Sequence, residues 1–450
     1  MARDDHTVGS GGRLSVLSET DLERLDAAAL DVLATVGVSL PSAAAQAALV
    51  AAGAHADGAR VTIEPKLVRE LVARAPRHLT LGGRAAPALV TGRRSLLTTD
   101  GCCVEIYDLE TGEKRATVAE DVVAITRLVD GVEEIDFVWP SVSAQDRPAA
   151  TRGLHELYLT LANTGKHVQT VTVVEPQAAA VATEMAHAVA GGEARLRAAP
   201  PISALLGTVT PLGNDAGTLE AGLAFAAAGI PIGFVTMPMG GSTTPITMAG
   251  SLVVGIAEAL SAVAMIQAAH PGAPVFICFI PSVMDLKTGD FTGGAPEDTV
   301  MGAAVGDVGH FYGLPTQCGV NSSGAKQPGW QSALDDVTTT LLSMAAGVDM
   351  LTGVGMVSGG RIFSLQEAVL AGEIAAQARA ITAGMPPDGR PLDAAAGLAA
   401  GWAAAGPPSG RRNAALEERA TARVHELQRT HEPPALDPDL DAELRRLIGA

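Results

Sequence analysis

Apolar positions recur along this chain with two periods, and the switches between them predict its elements. From the capping residue Ser18, Leu22, Leu25, Ala29, Val32 and Leu33 fall on one face of a helix that Gly37 stops. A second helix is predicted over about Pro41–Ala51, a strand at Val61–Ile63 and a third helix over Pro65–Ala75. Residues 1–95 thus read as a flexible polar arm (1–13) and a helical extension. The stretch Ser95–Ala116 reads as strand and hairpin, with Asp108–Glu113 as the turn. Thr117 and Glu120 predict a capping box for a helix burying Val118, Val122, Ile125 and Val129.

A regular alternation follows. Short apolar runs at Ile135–Trp139, His167–Val174, Ile202–Thr208 and Pro231–Met237 are predicted strands, as are Pro274–Ile280, Pro315–Gly319 and Val348–Gly353. Each precedes an amphipathic or apolar helical stretch: Thr151–Asn163, Gln177–Val189, Gly217–Ala228, Met248–Ala269, Glu297–Tyr312, Trp330–Ala346 and Ser364–Ala380. With Leu96–Asp100 as the first strand there are eight β/α units, whose strands are apolar throughout, as parallel strands buried on both faces must be. The predicted fold class is α/β, a (β/α)8 TIM barrel over residues 96–383. Residues 384–450 change character: an Ala/Gly/Pro-rich linker leads to a charged surface helix near Arg411–His431.

Composition narrows the function classes. A net charge of −18 with no basic stripe argues against nucleic acid. Cys102, Cys103, Cys278 and Cys318 show no metal-ligand spacing, and the apolar stretches are interrupted before they reach a membrane span. No signal peptide is evident, so a reduced, cytoplasmic protein is expected. Aromatic residues make up only 3% of the chain, so each tryptophan is a rare choice.

Barrel enzymes carry their chemistry on the loops after the strands. That rule selects Asp100, Gly101 and Cys102 after strand one, Trp139, Pro140 and Ser141 after strand two, and Glu175 after strand three. Thr208, Thr210 and Asn214 follow strand four; Met237, Met239, Gly240 and Gly241 follow strand five; Ser282 and Asp285 follow strand six. Asn321, Ser322, Ser323 and Lys326 follow strand seven, with Trp330 opening the next helix, and Gly353, Gly355 and Met356 follow strand eight. Trp139 and Trp330 offer faces for a cation, with packing under a loop the plainer role. Glu175 offers a carboxylate to the same cation or a solvated helix cap. His155-Glu156 opens a zincin motif that Leu159 breaks, and Gly353-Val-Gly355 lacks the third glycine of a dinucleotide fingerprint. Glycine-rich loops after strands seven and eight keep a phosphorylated ligand open as an alternative.

Several segments together resemble the trimethylamine methyltransferase superfamily. They are Leu17–Val38, Ile106–Gly112, Ile135–Pro140, Gly272–Val275, Pro281–Gly289 with Gly293–Glu297, and His310–Pro315; the likeness spans roughly residues 15–380. The resemblance implies a barrel that moves a methyl group from a methylated amine to the cobalt of a corrinoid (cobalamin) carried by a partner corrinoid protein. It also implies a possible homo-oligomer. Founding members place pyrrolysine in the loop after strand seven, where this chain has Gln327-Pro-Gly-Trp330. The resemblance is therefore to the non-pyrrolysine branch, which includes glycine betaine methyltransferases. A quaternary amine is the expected substrate, because it leaves as a neutral tertiary amine and needs neither acid nor covalent adduct. Trp139 or Trp330, with Glu175, is expected to hold the ammonium, and Asn321, Ser322 and Lys326 a substrate carboxylate. Gly240, Gly241, Gly353, Gly355 and Met356 are expected to face the corrinoid, with no metal ion bound directly. A homologue that has lost activity and serves as a scaffold is the remaining alternative.

Overall fold

The computed structural model describes residues 12–384 and 416–449. Seven parallel strands pair in one sheet: Leu96–Thr99, Val168–Thr170, Ile202–Gly207, Ile232–Thr236, Val275–Phe279, Thr316–Gly319 and Met350–Val354. The sheet closes through the segment at 137–138. Phe137 bridges Thr98 on one side and Val138 bridges Val168 on the other, both in parallel. This narrow stave gains further hold from side chains: the Thr98 hydroxyl donates to the Phe137 carbonyl at 2.8 Å, and the backbone N–H of Trp139 donates to Thr99 Oγ1 at 2.8 Å. All eight strands read from the sequence are present, in barrel order.

Two apolar layers form. The outer one lies between strands and helices. The inner one fills the lumen with Leu96, Phe137, Trp139, Leu205, Phe276 and Met350. Gly233 faces that lumen because Phe276 leaves room for nothing larger: a Cβ there would lie 2.3 Å from the Phe276 ring. Leu79 and Leu81, beside the short hairpin Thr80–Leu81/Leu89–Val90, join the same cluster and plug the end where the strands begin.

The helix Met248–Ala269 is apolar around nearly its whole circumference because it is covered on both sides. Strands five and six lie beneath it, and the extension helices Glu19–Thr35, Ala43–Ala52 and Pro65–Val72 lie above. Ser18 caps the first of these as expected, in a box with Asp21. The arm is less free than its composition suggests. Arg13, Ser15 and the N–H groups of Val16 and Leu17 all converge on the buried carboxylate of Asp307; residues 1–11 lie outside the described residues. The expected Thr117 cap is displaced by one residue. Val118 is the N-cap and Asp121 accepts its N–H at 2.9 Å, while the Thr117 hydroxyl donates to the Ser143 carbonyl at 2.7 Å. Beyond residue 415 the tail is more than one surface helix. Leu416–Thr430 packs on Leu365–Thr382 and Ala119–Asp130, and Pro438–Ile448 packs on Arg152–Asn163 and Pro176–Ala190.

The tight fit at Gly233 gives a direct test. Gly233→Ala is expected to lower stability by about 1–3 kcal/mol, read as a drop in Tm, because the ring of Phe276 must leave its rotamer. An unchanged Tm would show that the lumen is looser than this.

Candidate active site at the barrel mouth

The mouth loops are held from below by carboxylates on the barrel helices. Glu258, mid-helix and 2% exposed, accepts the hydroxyls of Thr208, Thr210 and Thr236 at 2.8, 2.9 and 2.6 Å and the Leu212 N–H at 2.7 Å. Glu156 takes the Ala144 N–H and the Thr172 hydroxyl, joining the loops after strands two and three. Asp298 takes the Val283 N–H and the Thr292 hydroxyl after strand six, and Asp335 takes the Ser323 hydroxyl after strand seven. Burial raises the pKa of Glu156, Asp298 and Asp335, and their donors partly offset it. The same loops carry small sheets: Met239–Gly240 with Ser282–Val283, and a four-stranded one joining Met356–Val357, Ile362–Phe363, Glu105–Tyr107 and Lys114–Ala116.

Inside the barrel a chain of polar groups crosses the lumen. His167 Nδ1 faces the carbonyls of Gly82 and Pro200 at 3.0 and 3.1 Å, so it carries the ring hydrogen. Its Nε2 therefore accepts from the Ser203 hydroxyl at 2.8 Å. Ser203 Oγ accepts from Gln169 at 3.2 Å, and Gln169 Oε1 accepts from Gln317 Nε2 at 2.9 Å. Strands three and seven stand on opposite walls, so this last bond spans the barrel. Burial holds the imidazole pKa down to about 4, which keeps His167 neutral and the direction of the chain fixed. Two buried atoms at this level have no partner: Gln317 Oε1 and Trp139 Nε1.

Asp100 follows strand one at the mouth. It is 7% exposed and lies at the lumen end of strand one, whose Leu96 fills the lumen and whose following residue, Gly101, sits against Trp139 and Val171. Gly101 N–H donates to Oδ1 at 2.8 Å. Burial pushes the Asp100 pKa up to about 7, partly offset by that N–H and by the Thr352 hydroxyl; no cation is among the causes. The nearby thiols are not primed as nucleophiles, since burial lifts Cys102 to about 11 and Cys278 well above its usual value.

The residues read from the sequence divide into separate places. Trp139 lies in the lumen beneath Gly101, 1% exposed. Trp330 does not join it; it opens the helix Trp330–Ala345 and is 88% exposed. Glu175 is an exposed N-cap position, its carboxylate against the backbone of Gly217 on the outer rim. Asn321 is buried under its loop at φ +48°, its Oδ1 taken by the Thr340 hydroxyl at 2.8 Å while its Nδ2 has no partner within the protein. Ser322 is half-buried, and exposed Lys326 leans on Asp290 at 3.6 Å. The glycines form no open cradle. A Cβ on Gly353 would lie 1.7 Å from the Val320 carbonyl oxygen, and one on Gly355 would lie 2.5 Å from the Phe363 ring. These glycines let the protein pack on itself, which removes the support for a phosphate site there. Met356 is buried, Gly240 is buried in its small sheet, and Gly241 remains on the rim. Gln169 and Gln317 escaped the sequence reading, although amides inside otherwise apolar strands are a usable signal.

Asp100 makes stability depend on pH in an unusual sense. Its folded pKa lies above the ordinary 3.8, so folding gains from its proton below that value, and the gain is lost as pH rises through about 7. Asp100→Asn is expected to gain stability over the parent as pH rises from 5 to about 7, by up to about 1.4 kcal/mol per pH unit, read as a widening Tm difference that levels off by pH 8. A constant difference across that range would mean that the carboxyl is ionised throughout.

Comparison with known proteins gives a consistent result. The sequence profile of the trimethylamine methyltransferase (MTTB) family matches residues 5–406. The trimethylamine methyltransferase MttB of Desulfitobacterium hafniense is 31% identical over 369 residues, covering 81% of this chain and 74% of that protein. A glycine betaine methyltransferase from another strain of the same species is 24% identical over 466 residues, covering 97% of each. The crystal structure of the hydroxylamine MtmB complex superposes over 98% of this chain and 96% of that one with a TM-score of 0.50; at 13% identity this likeness concerns the fold.

Proposed function

This chain belongs to the trimethylamine methyltransferase family and is a methyltransferase, and we propose that it takes a methyl group from a quaternary amine, glycine betaine or a related betaine. The proposed acceptor is the reduced corrinoid of a partner protein. The observation that carries the reading is Asp100: a carboxyl over an apolar lumen, with burial setting its pKa and no protein cation neutralising it. Such a group favours a ligand that brings permanent positive charge. A quaternary ammonium has no N–H to donate, so it asks for charge and apolar contact more than for acceptors.

The corrinoid supplies a cobalt nucleophile for the methyl carbon. The chain's own part is to hold the amine and exclude water, because the departing tertiary amine is neutral and needs no proton. Asp100 would hold the ammonium, with Val171 and Ile280 beside it at the top of the lumen and Trp139 beneath. Half-buried Ser322 and the ammonium of Lys326, on the rim, would take the carboxylate of a betaine. The rim around Gly241 would meet the corrinoid, since Gly353 and Gly355 are closed by the protein itself. Similarity over nearly the full length to a glycine betaine methyltransferase supports the substrate class.

The decisive measurement supplies glycine betaine, other quaternary amines and trimethylamine, with reduced cobalamin and a cognate corrinoid protein, and follows the demethylated amine by mass spectrometry. A tertiary amine should appear from at least one quaternary substrate; demethylation confined to trimethylamine would overturn the substrate class. Binding should also track the charge of Asp100. Affinity for the amine is expected to fall up to about tenfold for each pH unit below 7, and Asp100→Asn should abolish that slope. Calorimetry between pH 5 and 8 reads both.

A further inference from the structure

Resting on the methyl-transfer reading above, we infer that the partner protein seats on one arc of the mouth, the loops after strands four to seven, through apolar contact. Exposure is uneven around the rim. Along that arc Val209, Met237, Ile246, Leu286, Trp330 and Leu334 are all more than half exposed. On the loops after strands one, two, three and eight, the exposed large apolar side chains among the described residues are Val104 and Val174, at 42% and 37%. The small four-stranded sheet covers much of that opposite side and bears charges, Arg361 paired with Glu105 among them.

The apolar arc is continuous enough to be one surface. A Cβ on Gly241 would lie 3.1 Å from Leu286 and 3.7 Å from Ile246, so these two side chains flank a bare glycine. Farther round, Trp330 and Leu334 are one turn apart on a helix. A cavity of about 610 Å³ opens there between the N-terminal turns of that helix and Pro296–Tyr312, lined by Pro296, Val300 and Leu334. An indole 88% exposed beside an apolar groove has the composition of an interface anchor.

The position selects the occupant. The other end of the lumen is plugged by Leu79 and Leu81, so any macromolecule delivering an acceptor must approach over this rim. An acceptor carried on a protein therefore covers the arc during each turnover and uncovers it afterwards. An uncharged contact suits that use in a chain of net charge −18, because it does not require the partner to be basic.

The test separates docking from chemistry. Leu334→Ser and Trp330→Ala, both away from the Gly241 rim, should each raise KM for the corrinoid protein by about tenfold or more. Turnover with free reduced cobalamin, and kcat at saturating partner, should be unchanged. Val104→Ser and Val174→Ser should leave KM alone. Binding of the corrinoid-free partner should shift tryptophan emission to the blue, and Trp330→Phe should remove the shift. If the arc variants leave partner KM unchanged while Val104→Ser or Val174→Ser raises it, the arc is wrong and the methyl-transfer reading survives. If the free protein already protects the arc from hydrogen exchange and an arc variant splits an oligomer, the occupant is a second copy and the proposal fails. If the parent protein demethylates no amine with either acceptor, the underlying reading fails first.

Discussion

The mouth of this barrel stands on carboxylates buried beneath it. A loop that leaves a parallel strand exposes backbone N–H groups and hydroxyls that the sheet no longer satisfies. Here helices that surround the barrel reach back to satisfy them, most fully at Glu258, whose two oxygens take four donors from the loops after strands four and five. At Glu258, Asp298 and Asp335 the support comes from hydroxyl and N–H dipoles, while Glu156 also has Arg152 nearby. The loops are therefore rigid, and the ground under the mouth is negative. Position and electrostatics come from the same residues.

That shared origin shapes the reading of Asp100. A lone carboxylate buried away from water retains its proton more readily than a solvated one. The protein tolerates this strain on its charge state at the place where a cation would relieve it. Stability and ligand affinity then pull in opposite directions at one side chain, which is common where a site is kept ready for charge it does not itself contain.

The architecture was legible because parallel strands buried on both faces leave an unmistakable run of apolar residues, and eight of them fell between helical periods. Even Met248–Ala269 was read to its ends. What the sequence concealed depends on who fills a space. Gly353 and Gly355 look like a ligand cradle in one dimension, but a carbonyl and a phenyl ring of the chain itself occupy the room. Trp330 and Trp139 look equivalent, one at each mouth position. A single turn of helix carries the first outward while strand parity carries the second into the lumen. The rim strands, two residues long in several cases, are too short to show any period. Asn321 advertises a polar group, yet its amide oxygen is used internally by Thr340.

The leucine plug at the base has a kinetic meaning. With Leu79 and Leu81 closing one end, the lumen is a vessel with a single opening. Two reactants that share one doorway cannot enter in either order if the larger one blocks it. On the proposed reaction, the small amine would have to be inside before a protein-borne acceptor settled above it, and the demethylated product would stay trapped until that lid departed. Steady-state kinetics would show this as a compulsory sequence with the amine first, and random addition would mean that a second path to the lumen opens in solution.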